Sequence, residues 1–299
     1  MYFSIDIGAT KTLFALFSRC GKLLKSKKFP TESSEDLFLE YFSENLNSFI
    51  EPKKRKKIKS IVLAVPGIIT EKKSPEQFSY SIKFGNLPWK KIDLLAPIKN
   101  LFNCKISLIN DADLATFYEA SFYKNKKVVY LTFSTGIGGG VAKNRELLEE
   151  SKTFEPGHKK YIYNKKTAEW EDLASANAIC SLYNGTQVQN LRHNKSALRE
   201  ISVRLSLGLP DILLKFNPDV LVVGGAIGFV IKKCKKLLLP LVKMGLEAKI
   251  SRSKTALGEK TVSEAYETLN RLDGLKIVPA RRPLESVIYG GYLYAKKNK

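Results

Sequence analysis

The sequence predicts an α/β protein built as two lobes. Short β-branched and aromatic runs alternate with stretches of helical spacing, the pattern of strands packed under helices. An apolar strand runs straight into a turn of glycines and small polar residues twice, at "FSIDIGATKT" (3 to 12) and at "LTFSTGIGGG" (131 to 140). No low-complexity linker separates the two halves, so they are expected to share an interface with a hinge rather than a tether. A chain of 299 residues is long enough for each half to bury its own core.

In chain order, strands are expected near 2 to 7, 12 to 18 and 23 to 29. A helix follows near 34 to 49, opening on Thr31, Ser33 and Ser34, with apolar spacing at Leu37, Leu39, Phe42 and Leu46. "SIVLAVPGI" (60 to 68) reads as a buried strand ended by Pro66 and Gly67. Beyond a polar stretch and "NLPWKKIDLLAPI" (86 to 98) come the strand "KISLIND" (105 to 111) and a helix through "LATFYEASFY" (114 to 123). The first lobe is therefore placed at 1 to 122. The second, 123 to 283, begins with the strand, turn and strand of "KVVYLTFSTGIGGGVAKN" (127 to 144). Helical patterns cover 171 to 183 and 197 to 216, and "FNPDVLVVGGAIGF" (216 to 229) reads as loop, buried strand, glycine turn and helix. A last strand, "GLKIVPA" (274 to 280), leads to a terminal helix at 284 to 296, and the segment 284 to 299 is expected to pack back toward the first lobe.

Composition narrows the function. Hydrophobic content of 44% with 10% aromatics is that of a soluble globular chain. The longest apolar stretch, "VLVVGGAIGFVI" (220 to 231), is too short to span a bilayer and is broken by glycines, so no membrane partner is expected. A strand within a few residues of Met1 leaves no room for a signal peptide, which points to the cytoplasm. The four cysteines, Cys20, Cys104, Cys180 and Cys234, are scattered, and with only His158 and His193 the chain offers no local cysteine and histidine cluster. No zinc site is expected. The formal charge of +21 comes mostly from short lysine bursts in different segments, such as "KLLKSKK" (22 to 28) and "PKKRKKIK" (52 to 59). Scattered lysines neutralise phosphates without reading bases, so any nucleic-acid binding should be salt-labile and without sequence preference.

The two glycine turns admit two readings. Either is a tight hairpin turn, since glycine takes positive φ at no steric cost, or each presents backbone N–H groups to an anion. Four segments carry polar or glycine residues where strands end: Asp6 to Thr12, Asn110 and Asp111, Ser134 to Gly140, and Gly224 and Gly225. Ligands of open α/β sheets collect at the carboxyl ends of strands, so the four could face one crevice. An Asn-Asp pair after a strand, taken alone, is a helix cap. A carboxylate there can equally accept a hydroxyl proton, and an amide beside it can donate and accept.

The ordered set of Asp6-Ile-Gly-Ala-Thr-Lys-Thr12, Asn110-Asp111-Ala-Asp113, Ser134-Thr-Gly-Ile-Gly-Gly-Gly140, Glu155-Pro-Gly-His158, Glu171 to Ser175 and Val222-Val-Gly-Gly225 resembles the successive motifs of the ROK sugar kinases. The resemblance spans nearly the whole chain. It implies two actin-like (ribonuclease H-like) lobes of the hexokinase type with a ligand cleft between them. It also implies a phosphotransferase acting on an alcohol group: ATP-dependent phosphorylation of a hexose or amino-hexose at the 6-hydroxyl, glucokinase-like. The same resemblance covers a sugar-binding transcriptional regulator core and a catalytically silent homologue. Such regulators carry a helix-turn-helix ahead of the first phosphate motif, which here begins at Asp6.

Residue by residue, the resemblance implies that Asp6 holds magnesium through water, and that Gly8, Thr10, Lys11 and Thr12 meet the ATP phosphates from one side. Ser134, Thr135, Gly136, Gly138 and Gly139 would meet them from the other, with Gly224 and Gly225 admitting the adenosine. Asp111 becomes the catalytic base, and Asn86 in "NLPWKKIDL", Asn110, Asp111, Glu155, His158 and Glu171 the sugar ligands. It admits a homodimer. The chain departs from the pattern at Ala9, Ser134, Asp113 and Ala176, and "VAKNRELLEESKTF" (141 to 154) is charged where small residues are usual. The family's cysteine-rich zinc stretch is replaced by "KKYIYNKKTA" (159 to 168), which leaves His158 no zinc to bind.

Overall fold

Strand β1 (Tyr2–Ile7) shows how the first half is built. Side chains alternate across a strand. Phe3, Ile5 and Ile7 enter one core while Tyr2 enters a second on the opposite face. The strand is therefore covered on both sides, which explains its nearly unbroken apolar sequence. In the computed structural model, which describes residues 1–73, 78–84, 87–144, 146–253 and 259–298, β1 turns back antiparallel into β2 (Lys11–Phe17), and β2 into β3 (Leu23–Pro30). Helix α1 (Glu35–Phe49) is capped by the Ser34 side chain, which accepts from the Leu37 N–H, and carries Glu35 and Asp36 in its first turn. It buries Phe38, Phe42, Leu46 and Phe49 against the sheet. After the short α2 (Pro52–Arg55), β4 (Ser60–Val65) pairs parallel with β1.

The strand expected at 60 to 68 stops at Val65, before the Pro66-Gly67 pair expected to end it. Gly67 takes φ 106, and a Cβ there would overlap the Lys83 carbonyl, so the chain bends at Pro66-Gly67 into a hairpin of β5 (Ile68–Lys73) and β6 (Phe78–Lys83). Helix α3 (Ala96–Leu101), strand β7 (Lys105–Asn110) parallel to β4, and helix α4 (Asp111–Ala120) follow. The helix expected from 114 starts at Asp111, because the cap lies before it. The sheet order is β3-β2-β1-β4-β7.

The second half starts with β8 (Lys127–Phe133), β9 (Ile137–Lys143) and β10 (Glu146–Leu147), an antiparallel run. A hairpin of β11 (Lys160–Tyr163) and β12 (Lys166–Glu169) leads into α5 (Trp170–Ala174) and α6 (Ala176–Leu182). The single helix expected at 171 to 183 is interrupted at Ser175, whose extended backbone (ψ 162) ends α5 and whose hydroxyl caps α6 by accepting from the Ala178 N–H at 3.1 Å. Helix α7 (Lys195–Phe216) ends on Asn217 in the left-handed conformation, and β13 (Val220–Gly225) pairs parallel with β8. Residues 231 to 271, to which the pattern reading assigns no element, form α8 (Ile231–Ser253) and α9 (Glu259–Arg271). Strand β14 (Lys276–Pro279) completes a sheet ordered β10-β9-β8-β13-β14.

The two five-stranded sheets share one plan. In each, the first three strands are antiparallel neighbours, and the fourth and fifth add parallel beyond the first. The chain divides into one unit of Met1–Tyr118 with Glu285–Lys299 and a second of Glu119–Leu284. The division falls ahead of 122 because Glu119 is tied into the second unit, its Oε1 accepting from the Arg281 N–H at 3.0 Å. Helix α10 (Ser286–Lys297) belongs to the first unit and packs on β1 and β4. Among the described residues no helix is long and apolar enough to cross a membrane.

Candidate active site

In the first unit, β1 ends on Asp6 and the chain reverses through Gly8, whose N–H donates to the Lys11 carbonyl at 3.0 Å. Asp6 keeps partial solvent access, yet its carboxyl is densely surrounded. Burial pushes its pKa up to about 7, with the Lys11 ammonium pulling the other way. Lys11 in turn is held below the usual lysine range by burial and by Lys28, with Asp6 opposing. Thr10 is exposed on the turn. Thr12 is fully buried, and its Oγ1 lies 2.9 Å from Thr31 Oγ1, which braces the turn.

A testable pH dependence follows from Asp6. Between about pH 4 and 7 the folded chain retains a proton that the unfolded chain releases, so stability falls as pH rises through that window. Denaturant unfolding without divalent metal should show this decline, and Asp6→Asn should flatten it. An unchanged slope in the variant would remove Asp6 as the source.

At the end of β7 the Asn-Asp pair divides its labour. Asn110 caps α4: its Oδ1 accepts from the Asp113 N–H at 3.0 Å while its Nδ2 donates to the Gly67 carbonyl at 2.9 Å. One N–H and one lone pair of the amide remain beyond those two bonds. Asp111 is the first residue of the helix, and its Oδ1 accepts from the neighbouring Ala112 N–H at 2.8 Å. Asn86 lies outside the described residues.

In the second unit the β8–β9 turn leaves Ser134 and Thr135 exposed, with the Ser134 N–H donating to the Gly136 carbonyl at 2.9 Å. The Ser134 carbonyl accepts from the Ala176 N–H at 2.9 Å, which ties this turn to the start of α6. Part of the glycine content has a reason within the protein. A Cβ on Gly139 would come within 2.7 Å of the Phe154 ring, and one on Gly157 within 2.5 Å of the Ile137 carbonyl. Strand β9 is bare so that the Glu155 to His158 loop can lie against it. Gly224 makes room for the Tyr130 phenol, and Gly225 takes φ 63 hard against the Phe133 carbonyl.

The polar residues converge on that loop. Glu171 Oε2 accepts from the Ile137 N–H at 3.2 Å, which carries the carboxylate to the glycine strand. His158 Nδ1 lies 2.9 Å from Glu169 Oε2 and 3.8 Å from Glu171 Oε1. The hydrogen bond to Glu169 holds the imidazole pKa above its usual value, burial opposes it, and Glu171 and Glu155 add to it. Glu169 is absent from the expected site. Its signal was the "EWE" spacing: Trp170 is fully buried, which leaves the carboxylates on either side of it facing the other way. A cavity of about 500 Å³ in this unit is lined in part by Phe154, Glu155, Lys159, Tyr161 and Asp211; His158 and Glu171 do not line it.

The sequence profile of the ROK family matches residues 2–256. The chain belongs to the ROK family. Among its ROK relatives it is 25% identical to the fructokinase of Lactococcus lactis subsp. cremoris over 182 residues, 60% of this chain and 59% of that one. It is 28% identical to the xylose repressor of Bacillus subtilis (strain 168) over 191 residues, 56% of this chain and 48% of that one. The match thus spans about half to three-fifths of these curated relatives. Its fold matches that of a ROK glucokinase from Streptomyces griseus, solved with glucose and AMPPNP, at a TM-score of 0.71 and 16% identity over 99% of both chains. The two sheets of five strands are those of the actin-like ATPase fold. ROK membership covers both sugar kinases and repressors, so the chemistry rests on the residues themselves.

Proposed function

We propose that this ROK protein is an ATP-dependent sugar kinase that transfers the γ-phosphoryl group to the 6-hydroxyl of a hexose or amino-hexose. The observation that carries the reading is the pairing at the end of β7. Asn110 supplies the helix cap, so the carboxylate of Asp111 is not needed for capping and can accept the hydroxyl proton as the bond to phosphorus forms. Glu155, His158 and Glu171 are assigned as hydrogen-bonding partners of the sugar, and Asn110 as a fourth through its remaining N–H. The exposed turns at Gly8 to Lys11 and Ser134 to Gly136 are assigned to the phosphates, where backbone N–H groups and hydroxyls suit an anion.

Magnesium fits the first unit on donor chemistry: Asp6 offers a hard carboxylate oxygen, and a nearby cation favours its ionised form. When bound, the ion neutralises phosphate charge. Asp6 would hold it through water. Lys11 adds a positive charge on the same turn. Zinc of the cysteine type does not fit, since no cysteine stands between His158 and Glu171.

A coupled assay of ADP release over a panel of monosaccharides tests the proposal. Sugar-dependent ADP formation with one hexose or amino-hexose is expected. The likeness to a xylose repressor favours a second reading, sugar binding without turnover. Saturable sugar binding with no ADP release would establish that reading and sink the first.

A further inference from the structure

The hairpin β11/β12 stands where no cysteine is available, and it is built as a rigid bracket. Its two-residue loop, Asn164 and Lys165, is left-handed at both positions (φ 50 and 62), as a type I′ turn requires. It is fastened to α7 twice. The Tyr161 hydroxyl donates to Asp211 Oδ2 at 2.8 Å, and the Tyr163 hydroxyl donates to Glu200 Oε1 at 2.8 Å. Lys159 and Lys249 close on the same Asp211 at 2.9 and 2.6 Å, while Arg204 pairs with Glu200 at 2.6 Å and lies over the Tyr163 ring. At the far end of the bracket the Trp170 N–H donates to the Lys159 carbonyl, and the indole N–H donates to the Arg204 carbonyl, both at 2.9 Å. Glu169, the last residue of β12, is delivered by this frame to His158.

We infer that Glu169 is a positioning residue: by accepting the Nδ1–H of His158 it fixes the ring so that Nε2 is presented to the sugar, a task that ligation by a metal ion could otherwise perform. A carboxylate can only accept, so the 2.9 Å bond places the imidazole proton on Nδ1 and leaves Nε2 as the acceptor in the neutral ring. Glu171 is not available for this task to the same degree, because its Oε2 is bound by the Ile137 N–H and its other oxygen lies 3.8 Å from Nδ1. Among the described residues Nε2 has no protein partner. The sugar half of the inference rests on the kinase reading; the fixing of the ring does not.

The experiment takes the sugar-free protein labelled with nitrogen-15 and reads the His158 ring by long-range proton–nitrogen correlation, with His193 as the internal reference. The wild type should show the Nδ1–H tautomer. Glu169→Ala should revert to the Nε2–H form that dominates free imidazole in water, and raise the sugar KM by roughly tenfold or more, with a smaller fall in kcat and an unchanged KM for ATP. Glu169→Gln keeps an acceptor and should retain the tautomer while the imidazole pKa falls, which also covers the case of an Ala variant that folds poorly. An unchanged tautomer in both variants overturns the inference, as does a switched tautomer with unchanged sugar affinity. His158, Glu169 and Glu171 have ligand atoms within 4.8 Å of one another, close enough to hold a cation. About one equivalent of metal whose removal by a chelator switches the wild-type tautomer would therefore overturn it too. Absence of turnover with every sugar would sink the kinase reading alone, because the tautomer is read without sugar.

Discussion

Asp111→Asn is expected to lower kcat by roughly 10²- to 10⁴-fold, the range for losing a general base, while thermal stability changes little. That loss corresponds to about 3 to 5 kcal/mol of transition-state stabilisation. The substitution keeps size and shape, and the helix behind it keeps its cap, because the capping oxygen belongs to Asn110. An amide at 111 can still accept from the Ala112 N–H, the bond that the carboxylate makes now. Sugar affinity should fall far less than kcat, since an amide still hydrogen-bonds a hydroxyl. The companion Asn110→Ala should lose about 1 kcal/mol of stability, as a cap does. Retention of more than about a tenth of kcat by Asp111→Asn would fall short of the expected range and would disprove the base assignment. Joint loss of stability and activity would show that Asp111 is structural.

The largest stability effect is expected at Gly290. There α10 crosses α4 so closely that a Cβ would overlap the Leu114 carbonyl oxygen, and one on the adjacent Gly291 would overlap the Ser4 hydroxyl. A backbone carbonyl cannot swing aside as a side chain can, so Gly290→Ala must push α10 away from α4. Overpacking of this kind costs typically about 1–3 kcal/mol, which for a protein of this size lowers Tm by roughly 2–5 °C. Gly274→Ala is the matched control, since a Cβ there meets nothing within 4 Å. Equal melting temperatures for the two variants would show that α10 is free to move.

The central strands β1, β4, β8 and β13 were legible from sequence because they are buried on both faces and therefore read as nearly unbroken apolar runs between turns. The motifs at Asp6, Ser134 and Gly224 were legible for the same reason, since each sits at the end of such a run. Helix α8 was not. Its core stripe of Ile231, Cys234, Leu238, Val242, Leu246 and Ile250 has helical spacing, but lysines surround it and Pro240 and Gly245 interrupt it. The break at Ser175 was hidden because a cap and a helical serine look alike until the backbone is seen. In the candidate site, the burial of Thr12 was not legible, because a hydroxyl beside a glycine turn carries no mark of which face it takes. Asn110 and Asp111 could be named but not told apart, since the choice of capping residue is settled by one residue of helical phase. Glu169 was overlooked because its partner His158 lies eleven residues away across a hairpin that no cysteine announced.

The return of α10 to the first unit has a consequence for the order in which this chain can mature. The second unit is one continuous stretch, Glu119–Leu284, whereas the first is interrupted by it. The face of the first sheet that holds Tyr2, Phe17 and Val62 is closed by Ile288, Tyr292 and Ala295. During synthesis that face is made early and stays uncovered until the whole second unit has emerged. The second unit can therefore finish folding first, although it begins later, and the half that carries Asp6 and Asp111 is the last to become native.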